Sequence, residues 1–190
     1  MRALMLLGSP RQGRNTDSLA GYAADELERR GAKLTTLAVR ELDIAPCLGC
    51  YACQQVSGEY GCVQRDDMYR VTEALQSCEL AILATPIYTW YCPSGLKAAL
   101  DRLYGMNKYY GTGEGRLWHE GLQMALLLTY GYEQEDACGP FVRGVQRLCE
   151  HSGIGYAGMY GLRDLDDLAS FTTPAAEAGA RAFARGLMGV

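Results

Sequence analysis

Four of the eight cysteines lie close together in the sequence, in an arrangement that can bind a metal or carry out redox chemistry. They are Cys47, Cys50, Cys53 and Cys62. In a reducing compartment, clustered cysteines serve these purposes more often than they form disulfides. The other four occupy apolar helical or strand positions, where we expect small core side chains: Cys78, Cys92, Cys138 and Cys149.

A second group of residues has the composition of an anion-binding turn. Residues 8–16, GSPRQGRNT, follow the apolar run at residues 3–7 and lead into an amphipathic helix. The N–H groups at a helix start lack partners and the helix dipole is positive there, so a phosphate is stabilised. Neutral donors and two positive charges come from Ser9, Arg11, Arg14, Asn15, Thr16 and Ser18. The alternative is an ordinary strand-to-helix turn capped by Asn or Thr.

Three aromatic residues follow the third apolar run. Residues 85–93 read TPIYTWYCP, so a proline stiffens a turn beside Tyr88, Trp90 and Tyr91. Backbone donors next to flat apolar faces suit a heteroaromatic ring with carbonyl and ring-nitrogen acceptors. The alternative is that these side chains fill the core or a subunit interface. Together with a phosphate site, a ring site describes a mononucleotide such as FMN.

Alternating strand-like and helical segments must position these residues. Strand-like runs occur at residues 2–7, 34–39, 79–84, 122–129 and 154–160. Helical patterns occur at residues 17–30, 67–77, 94–104, 136–152 and 174–188. This alternation predicts a parallel sheet with helices on both faces. Five such units fit a doubly wound, flavodoxin-like α/β fold of strand order 2-1-3-4-5, which binds ligands at the carboxyl ends of its strands.

The organisation of the chain predicts one domain over residues 1–190, because the length suits one core and no linker or repeat interrupts it. Two connections are long, as functional loops often are: a Cys-rich loop at 40–66 and a Gly- and Tyr-rich loop at 105–121. Local signals predict helix ends. Asp66 and Thr173-Pro174 mark helix starts, and Gly31 and Gly153 mark helix stops.

The composition excludes several classes of protein. A formal net charge of −4 leaves no basic excess, so we expect no nucleic-acid partner. No apolar run is long enough for a membrane span and the N-terminus lacks a signal-peptide layout, so we expect a cytoplasmic protein without membrane contact. The two histidines form no hydrolase motif. The acidic run Asp164, Asp166 and Asp167 predicts a solvated loop.

Three stretches together resemble one known family. Residues 8–16, residues 85–88 (TPIY) and residues 96–102 (LKAALDR) look like the corresponding parts of the NADPH-dependent FMN reductases and iron-sulfur flavoproteins. The similarity spans roughly residues 1–160. It implies a flavodoxin-like fold, non-covalently bound FMN and assembly as a homodimer or homotetramer.

The resemblance also implies which residues hold FMN. The phosphate would be bound by Ser9, Arg11, Asn15, Thr16 and Ser18, and the isoalloxazine ring by Pro86, Ile87, Tyr88, Thr89 and Trp90. A third wall of the flavin site would come from Thr129, Tyr130 and Gly131, followed by Tyr132. The phosphate loop departs from the family pattern at Arg14, where glycine is common, and this change adds a cation.

The cysteine motif resembles the compact cluster motif of the iron-sulfur flavoproteins, which implies a 4Fe-4S cluster on Cys47, Cys50, Cys53 and Cys62. Three thiolates at intervals of three residues can cover one face of such a cluster, and a fourth can close it. The last gap is longer than in that family, because residues 57–60 (SGEY) lengthen the loop. Two alternatives stay open: reduced thiols without a metal, and a zinc ion.

These features predict an FMN-dependent NAD(P)H oxidoreductase of the flavin- or quinone-reductase type, in which no side chain acts as acid or base. The electron donor would be NAD(P)H or a protein, and the acceptor a small molecule or a protein. An alternative is an iron-sulfur flavoprotein that carries electrons between protein partners. A third hypothesis is a metal-binding or sensing module without flavin.

Overall fold

A computed structural model describes residues 1–108, 115–165 and 168–189 of the chain. Its main sheet has five parallel strands in the order β2-β1-β3-β6-β7. The strands are β1 (Arg2–Leu7), β2 (Lys33–Ala38), β3 (Leu80–Pro86), β6 (Gln123–Tyr130) and β7 (Gly155–Arg163), with a short antiparallel pair, β4 (Asn107–Lys108) and β5 (Gly115–Arg116). Counted over the long strands, this is the predicted order 2-1-3-4-5, and the predicted doubly wound, flavodoxin-like fold is confirmed.

Five α-helices cover the two faces of the sheet. They are α1 (Asn15–Arg29), α2 (Met68–Ser77), α3 (Ser94–Arg102), α4 (Gln134–Ser152) and α5 (Pro174–Leu187). Alternate residues of β1 face opposite layers: Leu4 and Leu6 pack with α2, α3 and α4, whereas Met5 and Leu7 pack with α1 and α5. All seven residues of β3 are buried, as expected for the centre of a parallel sheet covered on both faces.

The helix ends follow the local signals. Gly31 follows α1 and Gly153 ends α4, both with positive φ, and the Thr173 side chain accepts a hydrogen bond from the Ala176 N–H at 3.1 Å. Asp66 marks the start of α2, because its carboxylate accepts a hydrogen bond from the N–H of Met68, the first residue of the helix, whereas the flanking residue Asp67 makes no side-chain cap. The same carboxylate pairs with a buried arginine, Arg102.

The two long connections differ in how much the structure describes. The Cys-rich loop is described throughout and includes a short 3-10 helix, Ala52–Gln55. The Gly- and Tyr-rich loop contributes β4 and β5, but residues 109–114 lie outside the described residues, as do Asp166 and Asp167 of the acidic run. No helix in the described part of the chain is long and apolar enough to cross a membrane. The single-domain organisation stays a prediction.

The four cysteines expected in the core are buried. Burial raises the pKa of Cys78, Cys138 and Cys149 to about 11 and that of Cys92 to about 12. Their thiols therefore stay protonated and act as small apolar side chains.

Candidate functional site

The predicted phosphate loop, residues 8–16, follows β1, and the aromatic turn, residues 85–93, begins at the end of the neighbouring strand β3. The third predicted wall, Thr129, Tyr130 and Gly131, begins at the end of β6, which pairs with β3. All three segments therefore meet at the carboxyl edge of the sheet. The Gly8 N–H donates a hydrogen bond to the Ala84 oxygen at 2.8 Å. A Cβ atom at Gly8 would lie 2.6 Å from Leu96 Cδ2 and 2.9 Å from Thr85 Oγ1, so only glycine permits this close approach.

The start of α1 is open to a ligand. The helix begins at Asn15, two residues earlier than expected, and no side chain caps it. Its first-turn N–H groups therefore lack partners within the helix. Because Asn15 and Thr16 are buried inside the first turn and do not cap it, the alternative of an ordinary Asn- or Thr-capped turn does not describe this junction.

Side chains within the loop fix its shape. The Ser9 hydroxyl is buried, accepts a hydrogen bond from the Arg11 N–H at 3.2 Å and lies 3.1 Å from the Arg11 oxygen. Ser18 Oγ donates to the Arg14 oxygen at 3.4 Å. The Asp17 carboxylate accepts from the Gly13 N–H at 2.8 Å and is paired with Arg40 at 3.1 Å. The loop is thus pre-formed, with the Arg11 side chain exposed beside it.

Two contacts join the phosphate loop to other strands. Thr16 Oγ1 lies 2.8 Å from Thr129 Oγ1 at the end of β6, and both residues are buried. Asn15 Nδ2 donates to Asp164 Oδ2 at 2.5 Å, just beyond β7. Asp164 lies in a loop as expected, but it is half-buried and bonded to Asn15, so it is not simply solvated. The fifth strand extends to Arg163, beyond the predicted run at 154–160, and this extension brings Asp164 to the edge of the sheet where strand ends meet.

The aromatic turn has a strained backbone. Tyr88 and Tyr91 exchange two backbone hydrogen bonds, of 2.8 and 3.0 Å, and the two residues between them, Thr89 and Trp90, have φ of 49° and 62°. The left-handed region costs a non-glycine residue about 1–2 kcal/mol. Such strain tends to be kept where a site requires it. No hydrogen bond to the Thr89 or Trp90 N–H occurs among the described residues.

The aromatic side chains divide between core and site. Tyr91 packs edge-on against Phe141, with ring centroids 5.1 Å apart, so for Tyr91 the core alternative is right. Trp90 is 50 % exposed and Tyr132 is 66 % exposed, and their rings are nearly parallel with centroids 6.3 Å apart. The turn therefore leaves flat apolar faces open.

Two adjoining cavities connect the aromatic turn with the phosphate loop. The larger, about 470 Å³, is lined by Trp90, Tyr132 and their neighbours, and the smaller, about 110 Å³, reaches Arg11 and Thr129. Ile87, Gly131 and Asp164 line both. The predicted residues Pro86, Tyr88 and Tyr130 line the smaller cavity, and Thr89 the larger.

The four clustered cysteines line a separate cavity of about 260 Å³. Cys47 and Cys50 are exposed, whereas Cys53 and Cys62 are partly buried. Three of the sulfur atoms accept a hydrogen bond: Cys47 from the Gly49 N–H at 3.4 Å, Cys53 from Gln54 Nε2 at 3.8 Å, and Cys62 from Arg102 Nη2 at 3.4 Å. Burial raises the pKa of Cys53, and the Gln54 hydrogen bond partly opposes that shift.

The four sulfurs line one cavity, and N–H groups point at three of them. Across residues 1–108, 115–165 and 168–189, no group of three or more His, Cys, Asp or Glu side chains has a geometry that could hold a metal ion. Arg102 lines the cavity, and its buried Nε–H has no hydrogen-bond partner in the described part of the chain. The donor set is chemically that of a thiolate-bound cluster, and the zinc ion and the metal-free thiols stay open as alternatives.

Two sequence relatives resemble the chain over about half of its length. One is an iron-sulfur flavoprotein of Methanosarcina thermophila, 33% identical over 102 residues, which are 54% of this chain and 52% of the relative. Another is an iron-sulfur flavoprotein of Archaeoglobus fulgidus, 34% identical over 103 residues, 54% of this chain and 46% of the relative. The chain spans about half the length of these curated relatives.

Solved structures share the fold over nearly the whole chain. The NAD(P)H:quinone oxidoreductase of Methanothermobacter marburgensis matches with a TM-score of 0.74 at 18% identity, and the match covers 99% of this chain and 97% of that protein. An FMN-dependent NADH-azoreductase of Bacillus anthracis matches with a TM-score of 0.70 at 12% identity, and the match covers 99% of this chain and 98% of the azoreductase. The model of the NADPH-dependent FMN reductase family matches residues 1–129. Since this match takes in more than half of the chain, the protein belongs to the NADPH-dependent FMN reductase family.

Proposed function

We propose that this protein is an FMN-dependent oxidoreductase that takes electrons from NADPH or NADH and passes them to a second substrate. The observation that carries the proposal is the meeting of three segments at one sheet edge: an uncapped helix start, a strained aromatic turn and the end of β6. Membership of the reductase family supports it. When bound, FMN supplies the hydride and electron transfer.

The start of α1 would hold the FMN phosphate. Its first-turn N–H groups are available, and Asn15 and Thr16 lie buried at the same place. Arg11 is exposed beside the smaller cavity, where its charge can pair with a phosphate oxygen. Ser9 and Ser18 would act mainly by shaping the loop, because their hydroxyls already contact backbone oxygens.

The aromatic turn and the β6 loop would hold the flavin ring. Backbone N–H groups of Thr89 and Trp90 are available for a polar ring edge, and the remaining wall would come from Pro86, Ile87, Tyr88, Thr129, Tyr130 and Gly131. The larger cavity, lined by Trp90 and Tyr132 among others, leaves room for a flat second substrate. We assign no side chain as acid or base, because flavin chemistry does not require one.

The binding proposal is tested with a double variant, Arg11→Ala with Asn15→Ala. Removing a charged donor and a buried amide weakens phosphate binding by about tenfold or more, since hydrogen bonds to charged groups contribute about 1.5–3 kcal/mol each. Fluorescence titration measures FMN and riboflavin affinity. We expect the affinity for FMN to fall. Riboflavin lacks the phosphate, so the affinity for riboflavin should stay the same. Arg147→Ala, at an exposed residue of α4, is the control. Unchanged FMN affinity in the double variant overturns the phosphate assignment.

The reaction itself is tested with purified protein and defined partners. Rapid oxidation of NADPH or NADH in the presence of a quinone or free flavin supports the enzyme. Reduction of bound flavin only by a protein such as a ferredoxin supports an electron carrier instead. If the purified protein contains no flavin and has no measurable affinity for added FMN, both the enzyme and the electron-carrier proposals are overturned.

The cysteine cavity favours a second candidate, an iron-sulfur flavoprotein that transfers electrons. Cys47, Cys50, Cys53 and Cys62 would hold a 4Fe-4S cluster, which accepts and releases single electrons when bound. N–H groups point at three of the sulfurs, and hydrogen bonds to sulfur are among the factors that tune the potential of a bound cluster. Anaerobic purification with iron and acid-labile sulfide analysis tests this candidate. Cys50→Ser should reduce the iron content and the associated absorption, while flavin absorption is unchanged.

A further inference from the structure

Two buried cations contact the Cys-rich loop from outside it. Arg102, the last residue of α3, is 2 % exposed, and Lys108, in β4, is 7 % exposed. Neither residue lines the two adjoining cavities of the flavin site. Charged side chains are rarely buried to this degree unless negative charge compensates them. Their burial therefore calls for a negatively charged neighbour.

Arg102 forms hydrogen bonds to residues at both ends of the cysteine motif. Its Nη1 donates to the Asp66 carboxylate and to the Ala45 oxygen at 3.3 Å. Its Nη2 donates to Cys62 Sγ at 3.4 Å and to the Gln64 oxygen at 3.5 Å. Asp66 balances the charge of Arg102, but one Nη2–H is directed at sulfur and the Nε–H has no partner among the described residues. The guanidinium therefore has the Nε–H left for an anionic group in the cavity that it lines.

Lys108 is buried with no carboxylate within salt-bridge distance among the described residues, and Glu59 acts on it only from farther away. Its Nζ donates to the Cys53 oxygen at 2.7 Å and to the Tyr60 oxygen at 3.1 Å, and no salt bridge to Lys108 occurs within the described residues. Neutral carbonyl oxygens satisfy its hydrogen bonds but not its charge. Cys53 and Tyr60 both line the cysteine cavity, so the ammonium group is hydrogen-bonded to the backbone of two residues of its lining.

We propose that Arg102 and Lys108 form a charge-compensating pair for an anionic, thiolate-bound cluster in the cysteine cavity, and that they raise its reduction potential. This inference rests on the second candidate function above. A one-electron reduction adds one negative charge to the cluster, and the electron comes from reduced FMN or from a chemical reductant, with no bond formed or broken. Nearby cations and hydrogen bonds to sulfur stabilise the more negative state, which makes reduction more favourable.

Two variants separate the charge from the hydrogen bond. Lys108→Gln removes the charge but keeps an N–H donor for the two carbonyl oxygens. Arg102→Lys keeps the charge but loses the forked donor that reaches Cys62 Sγ. Arg147→Gln removes a cation from the exposed side of α4 and is the control. Circular dichroism and thermal unfolding of each protein show whether the fold is kept.

The readout is the midpoint potential of the cluster in anaerobically purified protein, together with its iron and sulfide content. We expect Lys108→Gln to lower the equilibrium constant for reduction at least tenfold, which is about 59 mV for one electron. Arg102→Lys should also lower the equilibrium constant for reduction, and Arg147→Gln should leave that constant unchanged. Loss of iron from a folded Lys108→Gln or Arg102→Lys protein also supports the pair as holding the cluster.

Unchanged potentials in iron-containing Lys108→Gln and Arg102→Lys proteins overturn the inference and leave the second candidate function standing. Wild-type protein without iron and sulfide overturns the second candidate function, and this inference falls with it. If Arg102→Lys unfolds, Lys108→Gln decides alone, because its side chain keeps the two hydrogen bonds to carbonyl oxygens that anchor the loop.

Discussion

Asn15 and Asp164 are 149 residues apart in the sequence, yet Asn15 Nδ2 donates a hydrogen bond to Asp164 Oδ2 at 2.5 Å. The contact joins the first residue of α1 to the residue that follows β7. It also places a carboxylate at the point where the two adjoining cavities meet. A ligand phosphate at the start of α1 would therefore lie near a negative charge and compete with Asp164 for the Asn15 amide.

Replacing Asp164 by asparagine should tighten FMN binding. Asp164→Asn removes the charge and keeps a side-chain oxygen that can accept from Asn15, so the loop geometry is maintained. Removing the repulsion between the Asp164 carboxylate and the phosphate in a partly screened site should improve the binding free energy by about 1.4 kcal/mol, which is about tenfold in affinity. Fluorescence titration with FMN measures the change, and riboflavin should show none.

The matched control for Asp164→Asn is Glu150→Gln, at an exposed residue of α4 whose carboxylate pairs with Arg147. Its FMN affinity should equal that of the wild type. Weaker FMN binding by Asp164→Asn would show that the carboxylate accepts hydrogen bonds from the ligand and does not compete with its phosphate.

A methyl group at Gly8 should destabilise the protein. In Gly8→Ala the new Cβ would lie 2.6 Å from Leu96 Cδ2 and 2.9 Å from Thr85 Oγ1, inside a packed region between β1, β3 and α3. Overpacking of this kind costs about 1–3 kcal/mol. Gly21→Ala is the control, because nothing lies within 4 Å of its Cβ and alanine favours the interior of α1. In urea unfolding, the free energy of unfolding should fall for Gly8→Ala and rise for Gly21→Ala. Equal free energies of unfolding in the two variants would contradict the close approach at Gly8.

The sequence predicted the main features of the fold because they depend on local patterns. Regular alternation of β and α segments predicted the parallel sheet, and the flavodoxin-like fold assigned to it gave the strand order. Gly153 and Thr173 were recognisable as helix-end signals. Ser9, Asn15 and Thr16 could be proposed together as phosphate ligands because residues 8–16 are a continuous stretch following β1. Each of these signals lies within a few neighbouring residues.

The roles of Asp164, Arg102 and Lys108 could not be predicted in this way. Asp164 acts through a partner at the other end of the chain, and Arg102 reaches Asp66 across 36 residues. Charged residues are usually solvated, so in the sequence alone they indicate surface. Only the packing of α3 and β4 against the Cys-rich loop buries these two cations.

The exposed aromatic pair should contribute to flavin binding. Trp90→Ala removes one of two nearly parallel rings beside the larger cavity. Aromatic contacts of this kind contribute about 0.5–1.5 kcal/mol, so we expect FMN and riboflavin affinity to fall about threefold to tenfold together. Tyr22→Ala, on α1 and away from both cavities, serves as the control. If only acceptor turnover changes while flavin affinity does not, Trp90 contacts the second substrate and not the flavin.

The ion pair between Asp66 and Arg102 should make stability depend on pH in the acid range. Burial works to raise the pKa of Asp66, but the Arg102 hydrogen bond and the Ala45 and Met68 N–H groups outweigh it and hold the pKa below its usual value. The carboxylate therefore adds stability above the pKa of an unfolded Asp, about 4, and that contribution is lost as pH falls through the lower folded pKa.

Asp66→Asn tests this dependence. The variant should be less stable than the wild type at pH 7, because it leaves the buried Arg102 without its carboxylate. The difference should shrink as the pH is lowered below about 4, since protonation removes the same charge from the wild type. Thermal unfolding from pH 7 to pH 3 measures both curves. Asp136→Asn, in the exposed first turn of α4, is the control. A difference between wild type and Asp66→Asn that stays constant over this range would show that Asp66 stabilises the loop through neutral hydrogen bonds alone.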